Sequence, residues 1–150
     1  MTGLTRAVDW IWTVRGTVSA PSGSSIDDAF ARLDPLWRET GTTARRDGHT
    51  VTFRKTDPAS QDRLATFDRG RLCARPRTDG VDLAYTLVSR ALAACFVLPA
   101  VFLGISYVVD GAQISGKVFA GLFAVLYVAG RLLEPRLAAS LLARHLHSAP

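Results

Sequence analysis

A nineteen-residue segment without a charged side chain, residues 91–109, constrains this chain more than any other feature. As an α-helix it would be roughly 28 Å long, close to the roughly 30 Å thickness of the hydrocarbon core of a bilayer. A second, mostly apolar segment spans residues 114–133, after a polar loop at 110–117. The two segments predict a transmembrane helical hairpin. The alternative is that only residues 118–130 are truly apolar, a length that also fits a re-entrant or buried helix.

Basic residues lie on one side of this predicted hairpin. The loop between the segments contains only Lys117, balanced by Asp110. The flanking arginines are Arg71, Arg75, Arg77, Arg90, Arg131, Arg136 and Arg144. By the positive-inside rule both termini are expected in the cytoplasm. No secretory signal is predicted, because Asp9 and Arg15 interrupt the first apolar stretch. The Arg- and Ala-rich composition and the lack of an organelle signal favour a bacterial-type inner (plasma) membrane.

Charge divides the chain into two parts. The first 90 residues contain fourteen Arg or Lys and eleven Asp or Glu, whereas the last 60 contain six charged residues. We therefore expect a cytoplasmic α+β domain at 1–88, the hairpin at 89–134 and a cytoplasmic amphipathic tail at 135–150.

The net charge of +5 is explained by the basic residues that set the topology and by attraction to anionic lipid, so the predicted partners include the bilayer but no nucleic acid. Cys73 and Cys95 are poorly placed to pair, and neither resembles part of a metal site.

The predicted domain begins with a strand and a helix. Apolar and polar residues alternate from Val8 to Val18, the period-two pattern of a strand buried on one face. Ser25 and Asp28 have the spacing of a capping box, which predicts the start of a helix. Apolar residues then recur every three or four positions, at Ile26, Phe30, Leu33 and Trp37. Pro35 is expected to kink or divide this helix, and Gly41 can close it.

Strands follow the helix. Asp47-Gly48 predicts a two-residue type I′ turn that places Arg46 opposite His49 and Ala44 opposite Val51. Further strands are predicted at 63–67, 71–75 and 81–87. The predicted fold class is α+β: a small antiparallel sheet with one covering helix, in the order β-α-β-β-β-β-β, then the hairpin and a short tail helix.

Three tryptophans are expected to meet in the core of this domain. Trp10 and Trp12 lie on the predicted first strand and Trp37 lies on the helix, and aromatic residues at such spacings are commonly buried. The alternative is that their rings line a ligand pocket or enter the lipid interface.

One face of the sheet is a candidate binding surface. If Val51 points inward, the arginines that point outward are Arg45, Arg54, Arg71 and Arg75. A solvated face is the simpler interpretation, since antiparallel sheets commonly leave one face in water. The other interpretation is a face that binds anionic lipid headgroups or another anionic ligand.

The apolar segments contain a candidate helix-packing face. Small residues recur every four positions at Gly116, Ala120 and Ala124, and a shorter row is formed by Ala100 and Gly104. Small residues at this spacing allow helices to approach closely in a membrane.

No catalytic, cofactor or metal motif accompanies these features. His49 lies beside a turn, and His145 and His147 have a spacing that separates them on a helix. We therefore expect no catalytic residues and no cofactor, and a protein that is not an enzyme. The predicted function is a membrane-anchored accessory or interaction protein, a small subunit that associates with another membrane protein or with copies of itself. The alternative function is a cytoplasmic-face module that binds an anionic lipid headgroup or another anionic ligand.

Overall fold

The fold is α+β: the described residues form a five-stranded antiparallel sheet and three helices of twelve or more residues. The computed structural model describes residues 9–38, 41–57, 64 and 66–148. The elements are β1 (Thr13–Ser19), α1 (Ile26–Trp37), β2 (Thr42–Asp47), β3 (Thr50–Lys55), β4 (Arg69–Arg77), β5 (Gly80–Val88), α2 (Arg90–Val108) and α3 (Gln113–His147). The strands are ordered β1-β5-β4-β3-β2, and each neighbouring pair is antiparallel. The predicted fold class is confirmed at this level.

The chain divides into two compact units. The hairpin unit comprises Met1–Trp12 and Arg90–Glu134, and the sheet unit comprises Thr13–Ser89 and Pro135–Pro150. Helix α3 contributes to both, because the division falls between Glu134 and Pro135. The residues that follow Pro135 group with the sheet, and α3 continues through them without a separate tail helix.

Strand β1 is shorter than predicted. Residues 9 and 10 are helical, Ile11 and Trp12 form a turn, and the strand begins at Thr13. Thr13 pairs with Val88, the last residue of β5. A strand needs a partner for its backbone hydrogen bonds, and β5 gives way to α2 just beyond Val88. The alternating pattern upstream of Thr13 therefore has no strand beside it.

The β2–β3 hairpin is shifted by two residues from the predicted pairing. Asp47 pairs with Thr50, so the two loop residues are Gly48 and His49. Gly48 has φ of 54°, whereas the φ of His49 is not positive. A type I′ turn needs positive φ at both central positions, while type II′ needs it only at the first, where glycine is favoured. The predicted turn type and register are therefore wrong.

The fourth of the six predicted strands, at 63–67, is absent from its described positions. Positions 63 and 65 lie outside the described residues, whereas Leu64, Thr66 and Phe67 form a turn and a loop. The backbone N–H of Phe67 donates to the carbonyl of Leu64 at 2.8 Å, which closes the turn. Leu64 and Phe67 are both buried, so their hydrophobicity contributes to the core from a non-strand conformation.

Helix α1 begins as predicted. The hydroxyl of Ser25 accepts a hydrogen bond from the backbone N–H of Asp28, and the Asp28 carboxylate accepts one from the backbone N–H of Ser25, each at 3.1 Å. The helix continues through Pro35 and ends at Trp37. Its buried residues are Ala29, Phe30, Leu33, Leu36 and Trp37.

The C-terminal part of α3 also contributes to the core of the sheet unit. Ala138, Leu142 and Leu146 are buried and lie four residues apart on one face of the helix. The guanidinium of Arg32, on α1, donates from Nη1 to the carbonyls of Leu146 and Ser148 at 3.0 and 3.1 Å. These carbonyls are at the end of α3, where no further turn supplies donors, so Arg32 caps this helix.

In the hairpin unit, α2 and α3 are each long and apolar enough to cross a bilayer. Their mean hydropathies over the most apolar windows are 2.2 and 1.5, and few side chains in those windows are buried. Gly116 lies at a close approach of the two helices. A Cβ atom at this position would lie 2.6 Å from Cβ of Ser106 and 2.8 Å from the carbonyl oxygen of Phe102. Glycine is therefore required for this approach.

Candidate anion-binding surface

The sheet has a core face and an exposed face. Val51, Phe53, Leu72, Leu83 and Leu87 are buried on the core face. Successive residues of a strand point to opposite faces, and directly paired residues of neighbouring strands point to the same face. The observed pairing therefore determines which side chains share the exposed face.

One row of alternating arginine and threonine crosses this exposed face on all five strands. Arg45 pairs with Thr52, Thr52 with Arg71, Arg71 with Thr86, and Thr86 with Arg15. Strands are about 4.8 Å apart, so neighbouring arginines in the row are separated by roughly 10 Å at the backbone. All three arginine side chains are exposed.

A second row lies beside the first and contains two more arginines. Arg54 pairs directly with Arg69, and Arg69 pairs with Val88 on β5. Both arginines are exposed. We call the surface formed by the two rows the arginine face, and it contains Arg15, Arg45, Arg54, Arg69 and Arg71. Like charges directly opposite each other destabilise a sheet, so the Arg54–Arg69 pair has an energetic cost in the free protein.

Three of the four arginines predicted for this surface lie on the arginine face: Arg45, Arg54 and Arg71. Arg75 is on the same side of the sheet but is directly paired with Asp82. The sequence reasoning missed Arg15 and Arg69. The signal for Arg15 is its polar position in the alternating pattern, next to Val14 and three residues before Val18, both of which are buried. Arg69 lies between the predicted strands at 63–67 and 71–75, whereas in the structure it is the first residue of β4. The predicted pairing of β2 with β3 is wrong by two residues. Because side chains alternate between the two faces of a sheet, a shift of two residues leaves each side chain on its predicted face.

The acidic residues on this side of the sheet lie farther along the strands. Asp47 pairs with Thr50 in the next row, and Asp82 pairs with Ser19, whose hydroxyl donates to the Asp82 carboxylate at 2.7 Å. Within residues 9–38, 41–57, 64 and 66–148, the arginine face makes no ion pair. Arg46 differs, because it lies on the other face, where it is paired with Asp27 and its guanidinium carbon is 4.8 Å from the centre of the Phe30 ring.

A groove between α1 and β2 is a second concave feature of the sheet unit. Its volume is about 360 Å³. The apolar residues along it include Phe30, Trp37 and Val51, and the charged residues include Asp27 and Arg46. These two charged residues are paired with each other, so their charges are already compensated.

The titratable groups of the sheet unit with shifted pKa values have structural roles. The side-chain hydrogen bond from Ser25 lowers the pKa of Asp28, so the carboxylate stays ionised as part of the helix cap. Burial raises the pKa of Tyr85, whose hydroxyl donates to the carbonyl of Pro135 at 3.5 Å. The ring nitrogens of His145 and His147 contact backbone carbonyls one turn earlier. In the described part of the chain, no three His, Cys, Asp or Glu side chains form a group that could hold a metal ion.

The predicted helix-packing face is only partly in contact within the hairpin unit. Gly116 and Ala120 are buried. Ala100, Gly104 and Ala124 are exposed, and a Cβ atom on Gly104 would have no neighbour within 4 Å. Both small-residue rows were predicted from spacing alone, which does not determine the rotation of each helix about its axis.

The three tryptophans do not form one cluster. Trp37 is buried, and its ring centre lies 5.2 Å from that of Phe53. Trp10 is 58% exposed, and Trp12 is half-buried and belongs with Trp10 to the hairpin unit. The predicted core cluster is therefore wrong, because the turn at residues 11 and 12 ends the alternation on which it depended. The guanidinium carbon of Arg131 lies 4.3 Å from the centre of the Trp10 ring, a cation–π contact.

Comparison with known proteins identifies no family. No family model matches the chain, and no curated protein matches it. The chain is similar to the di-domain ARO/CYC BexL from the BE-7585A biosynthetic pathway, at 12% identity and a TM-score of 0.39, over 93% of this chain and 51% of that one. It is also similar to the di-domain ARO/CYC StfQ from the steffimycin biosynthetic pathway, at 12% identity and a TM-score of 0.37, over 91% and 52%.

The chain thus spans about half the length of these two proteins. Both are aromatase/cyclase enzymes, and this finding corrects the expectation that the chain is not an enzyme. TM-scores of 0.39 and 0.37 assign no activity to the chain.

Proposed function

We propose that this protein is a membrane-anchored accessory or interaction protein that binds an anionic partner through its arginine face. The observation that supports this proposal most is the directly opposed pair Arg54–Arg69 beside a row of three further arginines. The repulsion between these groups is relieved when an anion lies between them. The guanidinium group presents planar paired donors that match a carboxylate or a phosphate, which makes arginine the preferred residue for such recognition.

The proposed role of α2 and α3 is to hold the sheet unit at a bacterial-type inner membrane. Aromatic residues contact basic residues at both ends of the hairpin unit: Trp10 with Arg131, and Tyr107 with Lys117 at 5.8 Å. Aromatic and basic side chains are enriched at the two interfaces of a bilayer. Along α3 the two basic residues are roughly 21 Å apart, and their long side chains can extend outward to match a core of roughly 30 Å. In this role the exposed Gly104 offers a close approach to another membrane protein or a second copy of the chain.

The proposed topology places both termini in the cytoplasm. A reporter enzyme that is active only outside the cytoplasm should be inactive when fused after Pro150 and active when inserted next to Gly111, between α2 and α3. Alkaline phosphatase activity normalised to protein amount is the measurement. An active fusion at the C-terminus would contradict the two-span topology.

The arginine face is tested by charge-matched triple variants of the full-length protein in nanodiscs of zwitterionic lipid. Arg15→Gln, Arg45→Gln and Arg71→Gln together should weaken the binding of a fluorescent polyglutamate peptide by about ten- to a hundredfold at low salt, since each exposed charge contact contributes up to about 1 kcal/mol. Fluorescence anisotropy at two salt concentrations is the measurement. The wild-type binding should decrease as salt screens the charges.

The control removes three exposed arginines that lie elsewhere, Arg38, Arg136 and Arg144. Both triple variants lower the net charge from +5 to +2. The control should keep most of the binding. Equal loss in both variants would mean that only net charge matters, and the proposed role of the arginine face would be wrong.

A further inference from the structure

We infer that the anionic partner of the arginine face is the phosphate of anionic phospholipid headgroups in the bilayer that the apolar helices enter. This inference rests on the function proposed above and identifies the chemical class of the ligand. It follows from where the arginines lie along the strands, from the shape of the surface and from the distribution of acidic residues around it.

The arginine face lies at the end of the sheet from which the chain enters α2. The row that contains Arg54 and Arg69 ends on β5 at Val88. One residue separates Val88 from Arg90, at which α2 begins. Two residue steps reach at most about 7 Å, so Val88 lies within about one Debye length of the start of the helix at physiological salt. Arg69 is one strand spacing of about 4.8 Å beyond Val88, so its backbone lies within roughly 12 Å of that point. Charges this close to an anionic membrane surface are attracted to it.

Along the strands, the exposed face is basic near Val88 and acidic residues appear only farther from it, as expected if the end near Val88 contacts an anionic surface. The two rows nearest Val88 contain five arginines and no acidic residue. Asp47 lies in the third row, and Asp82 lies in the fourth, where it is paired with Arg75. The Asp82 carboxylate is also 3.9 Å from Nη1 of Arg77, in the row beyond. A single small anion could be held by two arginines anywhere on the sheet. A plane of negative charge is matched by arginines that are spread over four strands, β1 to β4, in the two rows at the end of the sheet that leads into α2.

The arginine face is shallow, and it contains room for a phosphate group. A surface depression of about 210 Å³ is lined by Arg45, Arg54, Thr43 and Thr52, among others. The two arginines flank it with guanidinium donors, whereas the hydroxyl groups of Thr43 and Thr52 donate to the backbone carbonyls of Arg54 and Arg45. Such an open depression suits a headgroup presented by a membrane, since the remainder of the lipid stays in the bilayer.

Native Cys73 provides a probe on the same side of the sheet. Its paired residues are Thr50 and Ala84, in the row next to the arginine face, and its side chain is half-buried. Cys95→Ser leaves Cys73 as the single thiol of the full-length protein. The experiment measures the rate at which N-ethylmaleimide modifies Cys73 in vesicles of phosphatidylcholine, with and without phosphatidylglycerol.

Phosphatidylglycerol should slow the modification of Cys73 several-fold at low salt, and high salt should restore the rate. Adding Arg54→Gln, Arg69→Gln and Arg71→Gln should abolish the difference between the two kinds of vesicle, since each arginine near an anionic surface contributes about fivefold to the attraction. The matched control places the single thiol on the exposed side of α1, as Ala31→Cys with Cys73→Ser and Cys95→Ser. Its modification rate should not depend on lipid charge.

A third arm distinguishes lipid from free phosphate. Inorganic phosphate is added to the protein in phosphatidylcholine vesicles, at the ionic strength of a chloride control. Protection of Cys73 by inorganic phosphate but not by phosphatidylglycerol would overturn the lipid inference while leaving anion binding intact. No protection in either arm would also overturn the lipid inference. The polyglutamate measurement tests the proposed function separately. If polyglutamate binding is retained and depends on the arginines, the partner is an acidic protein.

Discussion

Replacing Trp37 by alanine should unfold the sheet unit or bring it close to unfolding. The ring is 8% exposed and stacks at a tilt on Phe53, so its removal leaves a cavity between α1 and the sheet. Such replacements of a buried tryptophan cost about 3–5 kcal/mol. A small domain has a total stability of only about 5–15 kcal/mol. The full-length variant in detergent should therefore unfold at a markedly lower temperature and be digested faster by protease.

Trp10→Ala is the matched control for this prediction. Trp10 is exposed and contacts Arg131 in the hairpin unit, so its loss should leave the unfolding temperature of the sheet unit nearly unchanged. Protease resistance of the Trp37→Ala protein equal to that of the wild type would show that this ring contributes little to the core. The groove beside Trp37 would then be the better explanation for an aromatic residue at this position.

The local features of the fold were predictable from the sequence. The capping box of Ser25 and Asp28 and the apolar stripe of α1 depend on residues at most one turn apart, and both were predicted correctly. The length and composition of α2 were also predictable, because nineteen successive residues without a charge, most of them apolar, leave few alternatives. In the β2–β3 hairpin, the faces were correct although the register was not, since side chains alternate with a period of two.

The features that depend on distant residues were not predictable. Strand β1 pairs with β5, about 70 residues later in the chain, so neither its true start nor the position of Arg15 beside Arg71 could be read from local patterns. The row that crosses all five strands exists only after that pairing is made. Trp10 and Trp37 illustrate the same limit. The alternating pattern predicts that both lie in one core, but it does not reveal that the chain turns at residues 11 and 12.

The tail was expected to be a separate amphipathic segment, and its packing leads to the second prediction. Leu142 is 2% exposed and Leu146 is fully buried in the sheet unit, and the carbonyl of Leu146 accepts a hydrogen bond from Arg32. Changing both leucines to alanine should destabilise the sheet unit by about 2–5 kcal/mol for each. Thermal unfolding of the full-length protein, followed by circular dichroism, is the measurement.

Leu137→Ala provides the control on the same helix, because Leu137 is 59% exposed and its truncation leaves no cavity. An unfolding temperature unchanged by the double variant would contradict the packing of α3 on the sheet. If the prediction holds, the arginine face depends on residues that follow the second apolar segment. A fragment that ends at β5 would lack Leu142 and Leu146, so loss of anion binding by such a fragment would report the loss of the core and not the absence of a site. Binding must therefore be measured on the full chain, with arginine variants whose core is intact.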